Sequence, residues 1–153
     1  MRMLPVLAGM AGAVLLSLAV ALTAWGYGAD GLFSALELLF GHTYPPTKLA
    51  YSLLAFQVVA AFVLGVKGLA GAGRHKNSRP LLGVLSFAAP GFGLAATLIG
   101  VFLILRATAG IYFSDLHVVA PSFAEALTPV GFGLLVGAIA AAFKAAMASR
   151  ITR

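Results

Sequence analysis

Four long apolar segments dominate the chain, and none of them contains Asp, Glu, Lys, Arg or His. A bilayer hydrocarbon core about 30 Å thick is crossed by about 20 helical residues, with about 17 as the lower limit. Each segment meets that limit, so the pattern predicts an all-α, polytopic membrane protein with four transmembrane helices. The segments are residues 5–25, 49–66, 81–105 and 126–143.

Two connecting segments have patterns of their own. Residues 31–40, GLFSALELLF, are too short to cross a bilayer and predict a short helix at a membrane interface, ended by a glycine and two prolines. Residues 68–80 are glycine-rich and then basic, which is typical of a turn that faces lipid headgroups. We therefore divide the chain there: residues 1–79 hold two transmembrane helices and the interfacial helix, and residues 80–153 hold the second helix pair and a basic tail.

The composition supports a membrane protein and removes several kinds of chemistry. Of the 153 residues, 61% are hydrophobic and 9% are charged, and the mean hydropathy is +1.04. Soluble domains are about 45–50% apolar and about 25% charged. The chain has no cysteine, which excludes disulfides, thiolate nucleophiles and iron–sulfur clusters.

The positive charges are distributed unequally between the two ends of the apolar segments. With the amino terminus inside, eight Lys and Arg residues fall on the cytoplasmic side, and only Lys48 and Arg106 fall on the other. This asymmetry predicts cytoplasmic termini and places residues 31–40 at the outer interface. The first segment, followed by Tyr27, is longer than a signal-peptide core, so we expect a retained helix rather than a cleaved signal. The cytoplasmic residues are Arg2, Lys67, Arg74, Lys76, Arg79, Lys144, Arg150 and Arg153.

Constellations of catalytic or metal-binding side chains are missing from the sequence. His42, His75 and His117 fall in three different predicted loops, without the spacing of a metal site. Gly91 and Gly93 lie inside an apolar segment with no preceding strand, which rules out a dinucleotide-binding loop. The basic turn lacks the interleaved aromatic side chains of a nucleic-acid site. We therefore expect no enzyme activity, no cofactor, no metal and no nucleic-acid partner.

Small residues recur at four-residue spacing in the third and fourth apolar segments. Ala89, Gly93 and Thr97 share one face of the third helix, and Gly133 and Gly137 share one face of the fourth. Stripes of small residues let helix backbones approach closely in a membrane. The pattern predicts that both faces lie at helix–helix contacts.

Three prolines and one acid stand out in the same two helices. Pro90 and Pro129 each remove a backbone hydrogen bond, and each is either a kink for packing or a break in a polar pathway. Glu125, which follows Pro121, is either a hydrated acid in the first helical turn, favoured by the helix dipole, or a buried acid that faces the bundle interior. The residues by themselves leave both alternatives open.

Together, these residues resemble the last two helices of the MotA/TolQ/ExbB proton-channel family. Residues 89–100, APGFGLAATLIG, and then residues 120–127, APSFAEAL, are similar to two family motifs in the same order. Pro90 matches the helix-three proline of the flagellar stator branch, and Thr97 matches the pathway threonine. Pro121 matches the proline that opens the last helix.

The resemblance covers about residues 80–147 and departs from the family in two places. Val130 occupies the position of the second pathway threonine, and Thr128, two residues earlier, is a candidate substitute. The large cytoplasmic domain of the family is absent, because residues 68–80 form only a short turn. Torque generation through the known rotor contact is therefore not expected.

The resemblance implies a division of labour between this chain and a partner. It implies a ring in membrane lipid, a homopentamer, around two helices of a single-span partner similar to MotB, ExbD or TolR that carries the proton-binding acid. Thr97, Glu125 and Thr128 would then lie on the ion pathway, in a bacterial inner membrane. A structural membrane anchor without ion flux is the alternative, and the two departures favour it. A quinone- or lipid-handling enzyme would need histidine or acid pairs near one interface, which the sequence does not provide.

Overall fold

The computed structural model describes residues 3–28, 30, 32–41, 45–71, 78–108 and 116–151. These residues form five helices: α1 (Met3–Tyr27), α2 (Leu32–Gly41), α3 (Pro45–Ala70), α4 (Ser78–Thr108) and α5 (Leu116–Ile151). All except α2 are long and apolar enough to cross a membrane. The predicted all-α protein with four transmembrane helices is confirmed.

The long helices extend beyond the apolar segments that predict them. α4, for example, has 31 residues and begins at Ser78. The division of the chain that we placed between residues 79 and 80 therefore falls inside this helix. A backbone that leaves the hydrocarbon region still needs hydrogen-bond partners, and continuing the helix supplies them. Hydrophobicity therefore marks the part of each helix in lipid and not its full length.

The start of α5 differs from the prediction. We expected the last helix to open at Pro121, but α5 begins at Leu116 and Pro121 lies inside it. His117, expected in a loop, belongs to this helix, whereas His42 and His75 lie outside the described residues. Pro121 is tolerated in the second turn because it removes only one backbone N–H, the one that would bond to the carbonyl of residue 117.

α5 is the centre of the bundle. It is the most buried of the four long helices and contacts α1, α3 and α4. On the α1 side, a β-carbon on Gly12 would lie 2.7 Å from the Gly131 carbonyl oxygen. On the α3 side, the Phe143 ring covers Gly65. Because apolar side chains gain little by leaving lipid for protein, such close backbone approaches supply much of the packing energy.

Two groups of buried residues lie at opposite ends of this bundle. Near the α3–α4 turn, side chains of α3, α4 and α5 pack together; they are Ala61, Leu82, Ala140 and Met147. Near the end of α1, Ala19 packs with Ala124 of α5. Since α1 and α4 both pack along α5, the two halves into which we divide the sequence share one bundle.

Candidate ion pathway at the contact of α4 and α5

The backbones of α4 and α5 approach so closely that glycine is required at three positions. A β-carbon on Gly133 would lie 2.5 Å from the Ala89 carbonyl oxygen, and one on Gly137 would lie 2.6 Å from Pro90 Cγ. Gly93 lies directly against the Pro129 carbonyl. We call this contact the α4–α5 seam. It consists of the small residues and the two prolines that stand out in the sequence.

Pro129 interrupts the backbone hydrogen bonding of α5 within the seam. Because proline has no N–H, the carbonyl of Glu125, four residues earlier, loses its helical donor. The hydroxyl of Tyr51, on α3, donates a hydrogen bond to that carbonyl at 3.4 Å. A neighbouring helix therefore supplies the donor that α5 lacks, as membrane helices with internal prolines require.

Thr97 reaches the same part of α5 from α4. Its Oγ1 accepts a hydrogen bond from the Val130 N–H at 3.2 Å, and its side chain is only 8% exposed. This bond joins α4 to the residue that follows Pro129. The predicted pathway threonine thus lies inside the subunit, at the seam.

Thr128 completes a group of hydroxyls at this level of the bundle. The side chain is fully buried, and its Oγ1 donates to the Ala124 carbonyl at 2.8 Å. The Tyr51 side chain lies beside it. We call residues 125–130 of α5, with the Tyr51 and Thr97 hydroxyls bound to them, the Pro129 break.

Glu125 lies beside a cavity of about 500 Å³ between the ends of α3, α4 and α5. Thr47, Ser122 and Arg106 also line it. The first-turn interpretation of Glu125 is wrong, because α5 starts at Leu116 and has no acid in its first turn. The helix dipole falls off within the first turn, so it does not account for an acid in the third.

Two polar residues of α3 are not predicted by the sequence pattern. Tyr51 reads as an ordinary interfacial aromatic residue, and only the fold shows that its hydroxyl reaches α5. Gln57 lies in the middle of an apolar segment, and its Oε1 is buried without a hydrogen-bond partner among the described residues. An amide in the middle of a membrane helix is costly, and that cost is a signal available from the sequence.

The seam and residues 125–130 lie in the part of the chain that a known family matches, whereas Tyr51 precedes it. Residues 62–153 match the MotA/TolQ/ExbB proton channel family. The chain belongs to this family. The resemblance seen in two motifs is confirmed, and the match extends beyond them into α3. No curated protein and no solved structure gives a significant match.

As a member of the MotA/TolQ/ExbB family, the chain is a multi-pass membrane subunit of the proton-channel type. The family consists of proton channels rather than enzymes, and its members work with partner proteins in membrane complexes. Within the described ranges, no three His, Cys, Asp or Glu residues lie together. The groups that the Pro129 break offers to an ion are hydroxyls, backbone carbonyls and the carboxyl group of Glu125.

Proposed function

We propose that this chain is the channel subunit of an ion-driven motor or energy-transducing complex in the bacterial inner membrane, with both termini in the cytoplasm. Several copies, five by analogy with the family, surround the membrane helices of a single-span partner that carries the titrating acid. The protonation cycle of that acid drives relative rotation of the two components. The charge asymmetry of the sequence supports this orientation.

The observation that carries the proposal is that two buried threonine hydroxyls bond to the α5 backbone, one before and one after Pro129. Thr97 bonds to Val130, the residue after Pro129, and Thr128 bonds to Ala124. The carbonyl that Pro129 frees accepts a hydrogen bond from Tyr51. Hydroxyls can accept and donate a proton in turn. Glu125, at the neighbouring cavity, would stand near the outer mouth of the same pathway.

The test is proton flux through the purified complex in vesicles that contain a pH-sensitive dye. We expect Thr97→Val, which keeps the shape and removes the hydroxyl, to reduce the flux about two- to tenfold. A lost hydrogen bond contributes about 0.5–1.5 kcal/mol, and about 1.4 kcal/mol on a barrier is tenfold in rate. The subunit composition of the complex should not change.

The matched control is Thr23→Val in α1. Thr23 is also fully buried, but its hydroxyl donates to Ala19 of its own helix at 2.9 Å, away from the seam. This variant should conduct like the parent chain. Equal flux in the Thr97 and Thr23 variants would contradict a role for Thr97 in the pathway.

A structural membrane anchor without ion flux is the second candidate function. It is favoured by Val130, which provides no hydroxyl at the position of the family's second pathway threonine. The Val130 N–H also donates a hydrogen bond to Thr97 Oγ1, so this threonine is already engaged within the subunit. An anchor predicts an assembled complex with no proton flux even in the parent chain. The same vesicle measurement therefore separates the two candidates.

A further inference from the structure

We propose that Tyr51 is a positioning residue for the Pro129 break, where its hydroxyl replaces the N–H that Pro129 lacks. This inference deepens the proposed function and rests on it in one respect, namely that the break lies on the ion pathway. The hydrogen bond itself can be tested without that assumption.

The first step is the geometry of the hydroxyl. Tyr51 donates to the Glu125 carbonyl at 3.4 Å, which is the carbonyl four residues before Pro129 and thus the one that the proline frees. The tyrosine comes from α3 and the carbonyl from α5, so the bond joins two helices. A carbonyl that has lost its helical donor needs another partner, and here a neighbouring helix supplies it.

The second step is the contrast with Pro90, the other internal proline of the seam. Pro90 frees the carbonyl of Ser86, and that oxygen lies against Gly137, 2.9 Å from where a β-carbon would stand. The Gly137 backbone packs against the carbonyl that Pro90 frees. The carbonyl that Pro129 frees instead accepts a hydrogen bond from the Tyr51 hydroxyl. Pro90 acts as a packing kink, and Pro129 marks a polar break that needs a donor.

The third step is what Tyr51 holds in place. Its side chain also lies beside that of Thr128, whose hydroxyl donates to the Ala124 carbonyl. One phenol therefore bonds to the backbone of residue 125 and packs beside the side chain of residue 128. Without it, the turn that contains Glu125 loses its hydrogen bond to α3, and we expect this turn of α5 to be less firmly held.

The direct test is infrared spectroscopy of the Glu125 carbonyl. The chain has only two glutamates, Glu37 and Glu125, so cell-free synthesis of a Glu37→Gln chain with carbonyl-13C glutamate labels a single backbone group. A carbonyl that loses a hydrogen bond absorbs at higher wavenumber. We expect Tyr51→Phe to shift the labelled band upward, and Tyr27→Phe, the control on the exposed end of α1, to leave it in place.

A second variant tests whether the proline creates the need for Tyr51. In Pro129→Ala the helix regains the N–H for the Glu125 carbonyl, so adding Tyr51→Phe should no longer move the labelled band. An unchanged band in the single Tyr51→Phe variant would overturn the proposal. An equal shift in both backgrounds would also overturn it, because the bond would then be independent of the proline.

Proton flux separates positioning from mere structural support. We expect Tyr51→Phe to lower the flux of the assembled complex severalfold and Pro129→Ala to restore part of it in the double variant. A shifted band with full flux would overturn the positioning role. If the parent complex conducts no protons, the proposed function fails, while the labelled band still decides whether Tyr51 bonds to residue 125.

Discussion

Single polar side chains surround the turn of α5 in which Pro129 lacks a backbone N–H. Tyr51 and Thr97 come from two different helices, and each bonds to the backbone of α5 within four residues of the proline. In lipid a backbone group without a protein partner stays without a hydrogen bond, which is energetically costly. The position of each hydroxyl therefore affects stability more than it would in a soluble protein. The effect of a substitution here depends on which backbone group it leaves without a partner.

Glu125 provides a prediction at this scale. Arg106 and Glu125 line the same cavity, but Arg106 is exposed, and exposed ion pairs contribute about 0.2–1 kcal/mol. Glu125→Gln should therefore leave the complex assembled and change its free energy of unfolding by about 1 kcal/mol or less. If Glu125 stands at the pathway mouth, proton flux should fall, and vesicle assays will measure this.

The control for Glu125→Gln is Glu37→Gln, which removes an exposed carboxylate from α2. This variant should match the parent in both assembly and flux. Normal flux in Glu125→Gln would remove Glu125 from the pathway, and disassembly would show instead that it holds the subunits together.

At the scale of the helices, α5 has a different neighbour on each of three sides. Gly133 and Gly137 face α4, Gly131 faces α1, and Phe143 faces α3. Small residues recur on two sides because two backbones approach there. The periodicity of glycine along α5 is thus explained by two contacts and not by one stripe.

The seam gives a prediction with opposite signs at two glycines. In Gly133→Ala the new methyl would meet the Ala89 carbonyl at 2.5 Å, and overpacking of this kind costs about 1–3 kcal/mol. Gly91 lies on α4, and nothing lies within 4 Å of the β-carbon that Gly91→Ala would add. The higher helix propensity of alanine should therefore determine the effect on stability.

Thermal unfolding in mild detergent measures both variants. We expect a lower melting temperature for Gly133→Ala and an unchanged or higher one for Gly91→Ala. Equal shifts would contradict the tight contact between α4 and α5.

For the whole molecule, the notable fact is how much apolar surface lies outside the bundle. Large side chains along α1, α3 and α4 are exposed, for example Val14, Phe56, Phe87 and Phe102. In a membrane this surface meets lipid or other subunits, and its size is no sign of instability. An isolated chain is therefore compatible both with a lipid-bound monomer and with a ring.

Native mass spectrometry of the complex, extracted in mild detergent, distinguishes a ring from a monomer. We expect several copies of the 15.6 kDa chain together with one or two copies of a single-span partner. A particle with the mass of one chain would contradict the assembly that we propose. It would also contradict the anchor function, which requires a complex.

The sequence by itself determined the four membrane spans and the family. Both depend on local properties: uninterrupted hydrophobicity specifies a span, because each charge in hydrocarbon is costly, and the motifs around Pro90 and Pro121 are continuous in the chain. Where helices continue past the lipid, as at the start of α5, hydrophobicity no longer constrains them. For that reason the sequence put the start of α5 at Pro121, whereas the helix begins at Leu116.

Only the tertiary structure decided which polar groups meet. Tyr51 and Glu125 are 74 positions apart, and Thr97 and Val130 are 33 apart, so no local pattern connects them. The freed carbonyl of residue 125 can be inferred from Pro129, but the helix that supplies its donor depends on how α3 packs against α5. Packing in lipid follows close contacts of small residues on several faces, and a linear sequence does not say which face meets which neighbour.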